Sequence, residues 1–225
     1  MKINLFPINS ITLIIFIIFI IFIIFIIFVS YIILYKQLFE TFSSNSTIIL
    51  LGDSILNNSN FVSSGKSIFD ILKIKNNNTF SYANNEATIT DTIYQINSIQ
   101  PDLSNLYYNI NVIISAGGNN ILQNNTQSIN NLFSELITII QTVKSRLPDA
   151  HIFLLNLYLP TNPKFTKYKS HISQWNKLLE TNKIKYNYKI IDVYTLLHNT
   201  EDFTHNYEPS EIGGNKIANA IYLSI

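Results

Sequence analysis

The chain has 225 residues, and an apolar segment near its amino terminus leaves room for one soluble domain of ordinary size. Fifteen Lys and Arg against 14 Asp and Glu give a formal net charge of +1, which predicts no basic face for nucleic acid and no acidic tail. The absence of cysteine excludes disulfides, thiolate metal sites and a cysteine nucleophile. We therefore expect a neutral or membrane-associated substrate or partner.

The amino-terminal part of the chain differs in composition from the rest. Residues 1–10 form a short tail, and residues 11–35 are an uncharged run built mainly of isoleucine and phenylalanine. This run exceeds the roughly 20 residues that cross a hydrocarbon core as a helix. A cleaved signal peptide has a shorter apolar region, about 7–15 residues, and a small-residue cleavage site, and the run shows neither feature. We predict one transmembrane helix held by membrane lipid, a single-pass location of undetermined orientation, and a polar linker over residues 36–46.

The remaining residues, 47–225, alternate between strand and helix patterns. The predicted strands cover residues 47–51, 79–83, 111–115, 151–157 and 188–193. The predicted helices cover residues 66–74, 90–99, 128–147, 172–181 and 209–223. This alternation predicts an α/β domain in which a parallel sheet lies between two helical layers, with ligand sites at the carboxyl ends of the strands.

A Gly-Asp-Ser turn follows the first predicted strand. Gly52 suits a tight turn with close backbone approach, and the Ser54 hydroxyl is expected at the carboxyl end of the strand. Free amides at the start of a following helix would stabilise an oxyanion beside Ser54. The turn suits a nucleophile, although Gly, Asp and Ser are also common in turns that have no catalytic role.

Two further motifs follow later in the chain. Gly-Gly-Asn-Asn at residues 117–120 follows the third predicted strand, and Glu-Pro-Ser at residues 208–210 precedes the last helix. Together with Gly-Asp-Ser at residues 52–54, they resemble blocks one, three and five of the SGNH (GDSL-like) hydrolases in order and spacing. The resemblance spans about residues 47–225. It implies a flavodoxin-like three-layer α/β/α sandwich that hydrolyses esters, often of lipids, acylated sugars or thioesters.

The resemblance assigns roles to three residues. Ser54 would be the nucleophile that forms an acyl-enzyme. The Ser54 amide and the Asn119 side chain would donate hydrogen bonds in the oxyanion hole, and Gly117 would keep the backbone close. A donor in such a hole is typically worth about 3–4 kcal/mol of transition-state stabilisation.

Two of the family blocks differ here in single positions. The second block usually supplies a glycine amide to the oxyanion hole, but residues 84–88 contain no glycine. Asn85 or Glu86 would have to offer that amide, at a cost in backbone strain if Glu86 adopts a positive φ. The third block ends in Asn120, where the family usually has Asp.

The last block carries the largest departure. The family pattern is Asp, two residues, and then His directly before Pro-Ser. Here Glu208 stands directly before Pro209, and His205 lies three residues before Glu208. A second register is also present, because Asp202 and His205 have the Asp-x-x-His spacing, with three extra residues before Pro209.

Three mechanisms are compatible with these residues. In the first, His205 is the general base for Ser54 and is oriented by Asp202 or Glu208, which retains an imidazole with a pKa near neutrality. In the second, Glu208 takes the proton directly, which requires burial to raise its pKa. In the third, catalysis is lost and only the pocket remains.

Two functions therefore stay open. One is a membrane-anchored serine hydrolase that acts on a small ester, from a lipid or an acylated glycan. The other is a catalytically impaired SGNH-like protein that binds a carbohydrate, an acyl group or a protein partner at the same crevice. No metal-ligand spacing links His151, His171 and His198, so we expect no metal or other cofactor.

Overall fold

The computed structural model describes residues 10–44, 46–100, 109–123 and 127–225. Contacts divide the chain into two units, Met1–Ser43 and Ser44–Ile225. Of the predicted tail, residues 1–10, only Ser10 lies within the described residues. The first unit is helical where it is described, and the second is an α/β domain.

Helix α1, Ser10–Ser44, is an apolar helix of 35 residues. Its segment Ile15–Tyr35 has a mean hydropathy of 3.5, and none of its side chains is buried. Among the described residues this is the one helix long and apolar enough to cross a bilayer, a property that a signal sequence shares. The residues predicted as a polar linker, 36–46, are helical as far as Ser44, because no glycine or proline interrupts them.

The α/β unit is built on a parallel five-stranded sheet in the order β2-β1-β3-β4-β5. Strands β1 and β3 pair over their whole length, from Thr47 opposite Ile110 to Gly52 opposite Ser115. The predicted α/β fold with a parallel sheet is therefore confirmed. The strands are β1 Thr47–Gly52, β2 Thr79–Ser81, β3 Ile110–Ser115, β4 His151–Leu155 and β5 Lys189–Ile191.

The helices flank the sheet, and several begin at a Ser or Thr whose side chain accepts an amide of the first turn, as at Ser67, Thr88, Ser128 and Ser210. They are α2 Ile68–Lys75, α3 Ile89–Asn97, α4 Gly118–Leu122, α5 Ile129–Arg146, α6 Lys169–Tyr186, α7 Val193–Leu196 and α8 Glu211–Ser224, with 3₁₀ helices at Pro163–Tyr168 and Thr200–Asp202. Helix α2 packs on α8, whereas α5 packs on both α3 and α6.

Two elements differ from the sequence prediction. Helix α6 exceeds the predicted range 172–181 at both ends, and it stops at Asn187, which takes the left-handed conformation with a φ of 52°. A small antiparallel hairpin pairs β6, Phe203–Thr204, with β7, Glu208–Pro209. Strands of two residues are too short to show a period of two, so the sequence pattern does not indicate this hairpin.

The hydrophobic core lies within the α/β unit. All six residues of β1 and all six of β3 are buried. The buried apolar side chains of the core run from Ile48 to Ile221, and no described residue of α1 belongs to them. The α/β unit thus has a complete core of its own, and residues 44–225 are expected to fold without the apolar helix.

Parallel strands give the sheet two chemically different edges. We call the edge at the carboxyl ends of the strands the carboxyl edge, and the opposite one the amino edge. The chain enters β1 at the amino edge through Thr47, and Ser54 lies just past the other end of the strand. The predicted nucleophile therefore lies at the edge where open α/β sheets bind ligands.

Gly52 ends β1 with a φ of +119°, and a Cβ there would lie 1.7 Å from the Ser115 carbonyl oxygen. We expect Gly52→Ala to lower the free energy of unfolding of residues 44–225 by more than about 3 kcal/mol, because β1 and β3 must separate. Gly65→Ala is the matched control. Its φ is +78°, but no atom lies within 4 Å of the added carbon, so strain alone should cost about 1–2 kcal/mol. Equal losses in urea unfolding would contradict the effect of the close strand approach.

Candidate active site

Ser54 and Glu208 meet at the carboxyl edge of the sheet. Ser54 lies in the turn after β1, and Glu208 is the first residue of β7. The Ser54 Oγ donates a 3.0 Å hydrogen bond to Glu208 Oε1, and the two residues are only 6% and 4% exposed. A hydroxyl held in this way faces a base that can take its proton.

The β6–β7 hairpin positions Glu208 through bonds to its neighbours. The Tyr158 hydroxyl donates a 2.8 Å hydrogen bond to the carbonyl of Tyr207, directly before Glu208. On the other side, the Ser210 amide donates to the Asp202 carbonyl at 2.9 Å. Because the backbone is held on both sides, the fold itself directs the Glu208 carboxylate toward Ser54.

A mainly apolar pocket opens beside this pair. Ser54, Asn119 and Glu208 contribute polar groups to its wall. Much of the remaining wall is aliphatic or aromatic, from Ile121, Leu122, Leu157, Pro160, Phe165 and Ile172. The arrangement suits an acyl chain whose ester carbonyl lies against Ser54.

The environment of Glu208 strengthens it as a base. Burial raises the pKa of Glu208 above its usual value and the negative charge of Glu86 adds to this, while the Ser54 hydrogen bond lowers it. The second carboxylate oxygen, Oε2, is buried with no hydrogen-bond partner within 3.5 Å among the described residues, although the Tyr207 side chain lies near enough to the carboxylate to lower its pKa. This open acceptor can receive a hydroxyl group of a substrate or a water molecule.

Asp53, directly before Ser54, is a second buried carboxyl group, to which the sequence analysis assigns no role. Its Oδ1 accepts hydrogen bonds from the Ser115 hydroxyl at 2.7 Å and from the Ile55 amide at 3.1 Å. Burial raises the pKa of Asp53 to about 7, with a smaller increase from the charge of Glu208, against the lowering effect of its hydrogen bonds. Ser115 ends the strand next to β1, a relation that the sequence alone does not reveal. In the part of the chain that the structure describes, no three His, Asp or Glu residues form a group that could hold a metal ion.

The predicted oxyanion donors lie around Ser54. The Ser54 amide donates no hydrogen bond to any described residue, so it is available to a ligand. Asn119 lies in the wall of the same pocket, and its Nδ2 donates a 3.0 Å hydrogen bond to the Ala87 carbonyl. That bond uses one of the two amide hydrogens and leaves the other for an oxyanion.

Position 117 requires glycine for two reasons, its backbone conformation and its contact with the Trp175 ring. Its φ is +99°, and a Cβ there would lie 2.6 Å from the Trp175 ring. Trp175 itself is fully buried, and its Nε1 has no hydrogen-bond partner among the described residues. The tryptophan therefore supports the turn that carries Asn119, a contact that the helical pattern around Trp175 does not indicate.

The segment that corresponds to the second family block, residues 84–88, contains a strained backbone position. Glu86 adopts a φ of 59°, in the left-handed region, which costs a residue other than glycine roughly 1–2 kcal/mol. The loop is fixed to the end of β1, because the Asn84 amide donates to the Gly52 carbonyl at 2.9 Å. Neither Asn85 nor Glu86 lines the pocket that contains Ser54.

His205 lies in the turn of the β6–β7 hairpin and does not approach the nucleophile. It is exposed, has a φ of 46°, and its Nδ1 lies 3.2 Å from the Thr204 hydroxyl. Among the described residues no hydrogen bond joins His205 to Ser54 or to Asp202. The predicted arrangement with His205 as the base is not formed here, because the hairpin turn places this side chain outside the pocket.

Asp202 has a structural partner in place of a histidine. It is fully buried, and its carboxylate accepts hydrogen bonds from Lys216 Nζ at 2.6 Å and from the His198 and Asn199 amides at 3.1 and 3.0 Å. Although burial opposes ionisation, Lys216 and these amides keep the pKa of Asp202 below its usual value. The structure therefore places Asp202 in the support of the hairpin, away from Ser54.

The sequence of this domain matches a known family. Residues 50–212 match the GDSL-like lipase/acylhydrolase family, a span that includes Ser54, Asn119 and Glu208. The chain belongs to this family. No curated protein sequence matches the chain.

Solved structures of two GDSL-type lipolytic proteins and of an esterase share the fold. A lipolytic protein of the G-D-S-L family from Veillonella parvula is 19% identical with a TM-score of 0.65, over 80% of this chain and 97% of that one. A GDSL-like lipase from Bacteroides thetaiotaomicron is 13% identical, with a TM-score of 0.62 over 80% and 87%. The esterase EstA from Pseudoalteromonas sp., inhibited by monoethylphosphonate, is 14% identical, with a TM-score of 0.60 over 80% and 96%. At these identities the likeness establishes the fold alone.

The buried Asp53 should make this GDSL domain less stable as the pH rises. Its pKa is raised from 3.8 to about 7, so the stability present below pH 3.8 is lost as the pH rises through 7, on the order of 4 kcal/mol in total. Asp53→Asn keeps an acceptor for Ser115 and Ile55 but cannot ionise, so its free energy of unfolding should fall less between pH 4 and pH 8.

Urea unfolding of residues 44–225 at several pH values measures this difference. Asp149→Asn, which removes an exposed carboxylate, is the matched control and should retain the fall seen in the wild type. Parallel pH profiles for wild type and Asp53→Asn would show that burial of Asp53 does not govern the stability.

Proposed function

We propose that this GDSL-family protein is a membrane-anchored serine ester hydrolase in which Ser54 is the nucleophile and Glu208 its general base. The observation that carries the proposal is the buried 3.0 Å hydrogen bond from Ser54 Oγ to Glu208 Oε1, beside an apolar pocket. Family membership supports the class of reaction. The substrate is an ester of a lipid or of an acylated glycan, with its acyl chain in the pocket.

Acylation uses the groups around Ser54. As Ser54 Oγ attacks the ester carbonyl carbon, Glu208 Oε1 accepts its proton. The carbonyl oxygen becomes an oxyanion, which accepts hydrogen bonds from the Ser54 amide and from the free Asn119 hydrogen. The bond to the alcohol oxygen then breaks, Glu208 gives its proton to that leaving oxygen, and the acyl group remains on Ser54.

Deacylation repeats these chemical steps with water as the nucleophile. Glu208 takes a proton from the water as its oxygen attacks the acyl carbon. The bond to Ser54 Oγ breaks, Ser54 regains a proton from Glu208, and the carboxylic acid is released. The buried and unpartnered Oε2 of Glu208 supports this role, because it offers the water an acceptor inside the site.

Helix α1 supports the anchored part of the proposal. Its apolar segment, Ile15–Tyr35, has 21 residues, more than the about 7–15 of a signal-peptide core. It also has the length of about 20 residues that crosses a bilayer.

A binding function is the second candidate. Glu208 replaces the histidine of the family pattern, and the Asn119 amide already bonds to the Ala87 carbonyl. In this alternative, the same pocket holds an acyl group or a carbohydrate, or contacts a protein partner, without turnover.

Reaction with a fluorophosphonate probe distinguishes the two functions. We expect residues 44–225 to be labelled, Ser54→Ala to abolish labelling, and Glu208→Gln to slow it by about 10²–10⁴-fold, because the amide cannot accept the proton. His205→Ala is the matched control and should react within about twofold of the wild type, since an exposed turn residue gives Ser54 no assistance.

Two outcomes would contradict this mechanism. Absence of labelling in a folded wild type would favour the binding function. Loss of labelling in His205→Ala, with wild-type rates in Glu208→Gln, would restore the histidine mechanism.

Asn119→Ala should lower kcat for a p-nitrophenyl ester by about 10²–10³-fold with little change in KM, because its donor acts on the oxyanion and not on the ground-state ester. Gln123→Ala, at the end of the same short helix and outside the pocket, is the control and should leave kcat unchanged. A rise in KM at constant kcat would instead assign Asn119 to substrate binding.

A further inference from the structure

Basic side chains gather at the amino edge of the sheet, opposite the active site. Helices that follow parallel strands run back and end at this edge, and the last turns of α2, α5 and α6 are all basic. The near-neutral net charge indicates no basic face for nucleic acid, but it does not exclude a local cluster of basic side chains. Together with the first residue of β5, the set comprises Lys73, Lys75, Lys144, Arg146, Lys183, Lys185 and Lys189.

Hydrogen bonds connect these helix ends with each other and with the start of the sheet. Lys144 Nζ donates to the Tyr186 carbonyl, which joins the ends of α5 and α6. Asn76, directly after α2, donates a 2.8 Å hydrogen bond to the Ser46 carbonyl, directly before β1. The basic helix ends therefore share one edge with the point where the chain enters the domain.

The carboxyl ends of helices attract cations, and this explains the positions of some of the seven basic residues. A cation near a helix carboxyl terminus complements the macrodipole. Lys73, Lys144 and Arg146 each donate a hydrogen bond to a backbone carbonyl. Lys183 forms an ion pair with Glu180. These four side chains have local structural roles.

The other three lysines have no such role. Lys75, Lys185 and Lys189 are exposed, and each ammonium lies about 5 Å from an aromatic ring centroid, at 5.0, 4.9 and 5.2 Å. No described carboxylate lies within ion-pair distance of any of them. Their charges are therefore free to act on a partner.

Protruding aliphatic side chains accompany the lysines. Ile74 is 83% exposed and Ile184 is 89% exposed, and each stands between two lysines in a Lys-Ile-Lys triplet. Leu223 is 77% exposed in the last turn of α8, which packs on α2. A helix dipole accounts for cations but not for exposed isoleucines, so a second cause is needed.

We propose that the amino edge docks on an anionic lipid bilayer. Lysines attract anionic head groups, and short aliphatic side chains enter the boundary between head groups and acyl chains. The acidic side chains described at this edge are Asp149 and Glu180, against seven basic ones, so the edge has a positive net charge. A second copy of the chain would meet like charge there. The apolar helix that precedes β1 in the chain also favours a bilayer as the partner.

Vesicle flotation with residues 44–225, which lack most of α1, tests the edge alone. The wild type should bind vesicles of phosphatidylcholine with about 30 mol% phosphatidylglycerol. Lys75→Gln/Lys185→Gln/Lys189→Gln should bind about a hundredfold more weakly, because each lysine at an anionic surface contributes about fivefold. Ile74→Ser/Ile184→Ser should weaken binding at least about fivefold.

The chain offers a charge-matched control. Lys164→Gln/Lys167→Gln/Lys169→Gln removes the same charge from the carboxyl edge and should bind like the wild type, as should Lys75→Arg/Lys185→Arg/Lys189→Arg. Equal weakening in the two glutamine triples would overturn the proposal, and so would a folded wild type that ignores anionic vesicles. Stronger binding to heparin that is unaffected by Ile74→Ser/Ile184→Ser would also overturn it, in favour of a soluble polyanion. Circular dichroism verifies that each variant is folded.

Discussion

The buried hydrogen bond between Ser54 and Glu208 is the constraint on which the architecture of the site depends. A carboxylate at 4% exposure is costly unless its position is fixed and its partner is supplied. The hairpin fixes it at the expense of two left-handed residues, His205 and Asn206, with φ values of 46° and 76°. Asn162 helps to hold that turn through a 2.9 Å hydrogen bond to Asn206. His205 is therefore a turn residue, and Glu208 is the residue that contacts Ser54.

The site contains two carboxyl groups where one base is needed. Asp53 is buried beside Ser54 and has a pKa of about 7. The negative charge of Glu208 is one cause of this raised pKa, so ionisation of Glu208 disfavours ionisation of Asp53. A higher pH, which favours the ionised form of Glu208, therefore also favours an unfavourable buried charge on Asp53. In the turn that carries Asp53 and Ser54, a rise in pH thus favours the reactive form of the site and lowers the stability of the domain.

The sequence predicts the fold and the position of the candidate nucleophile better than it predicts the candidate base. Alternating strand and helix patterns determine a parallel sheet, and three ordered motifs place Ser54 and Asn119 at its carboxyl edge. The spacing of His205, Asp202 and Glu208 cannot show which of them faces Ser54, since that depends on a hairpin with strands of two residues. The role of Asp53 depends on Ser115 in the neighbouring strand. The net charge of the chain is likewise a sum, so it does not reveal that basic residues cluster in the last turns of three helices.

The length of β1 determines how far Ser54 lies from the amino edge of the sheet. The strand has six residues between the amino edge and the turn that carries Ser54, and at about 3.3 Å per residue it spans about 20 Å. With the amino edge resting on head groups, the reacting carbonyl is held that far above the bilayer surface. In that arrangement, an acyl group on a projecting glycan would reach Ser54 more readily than the ester of a phospholipid that stays in its leaflet. The length of the strand would then favour esters that project from the bilayer.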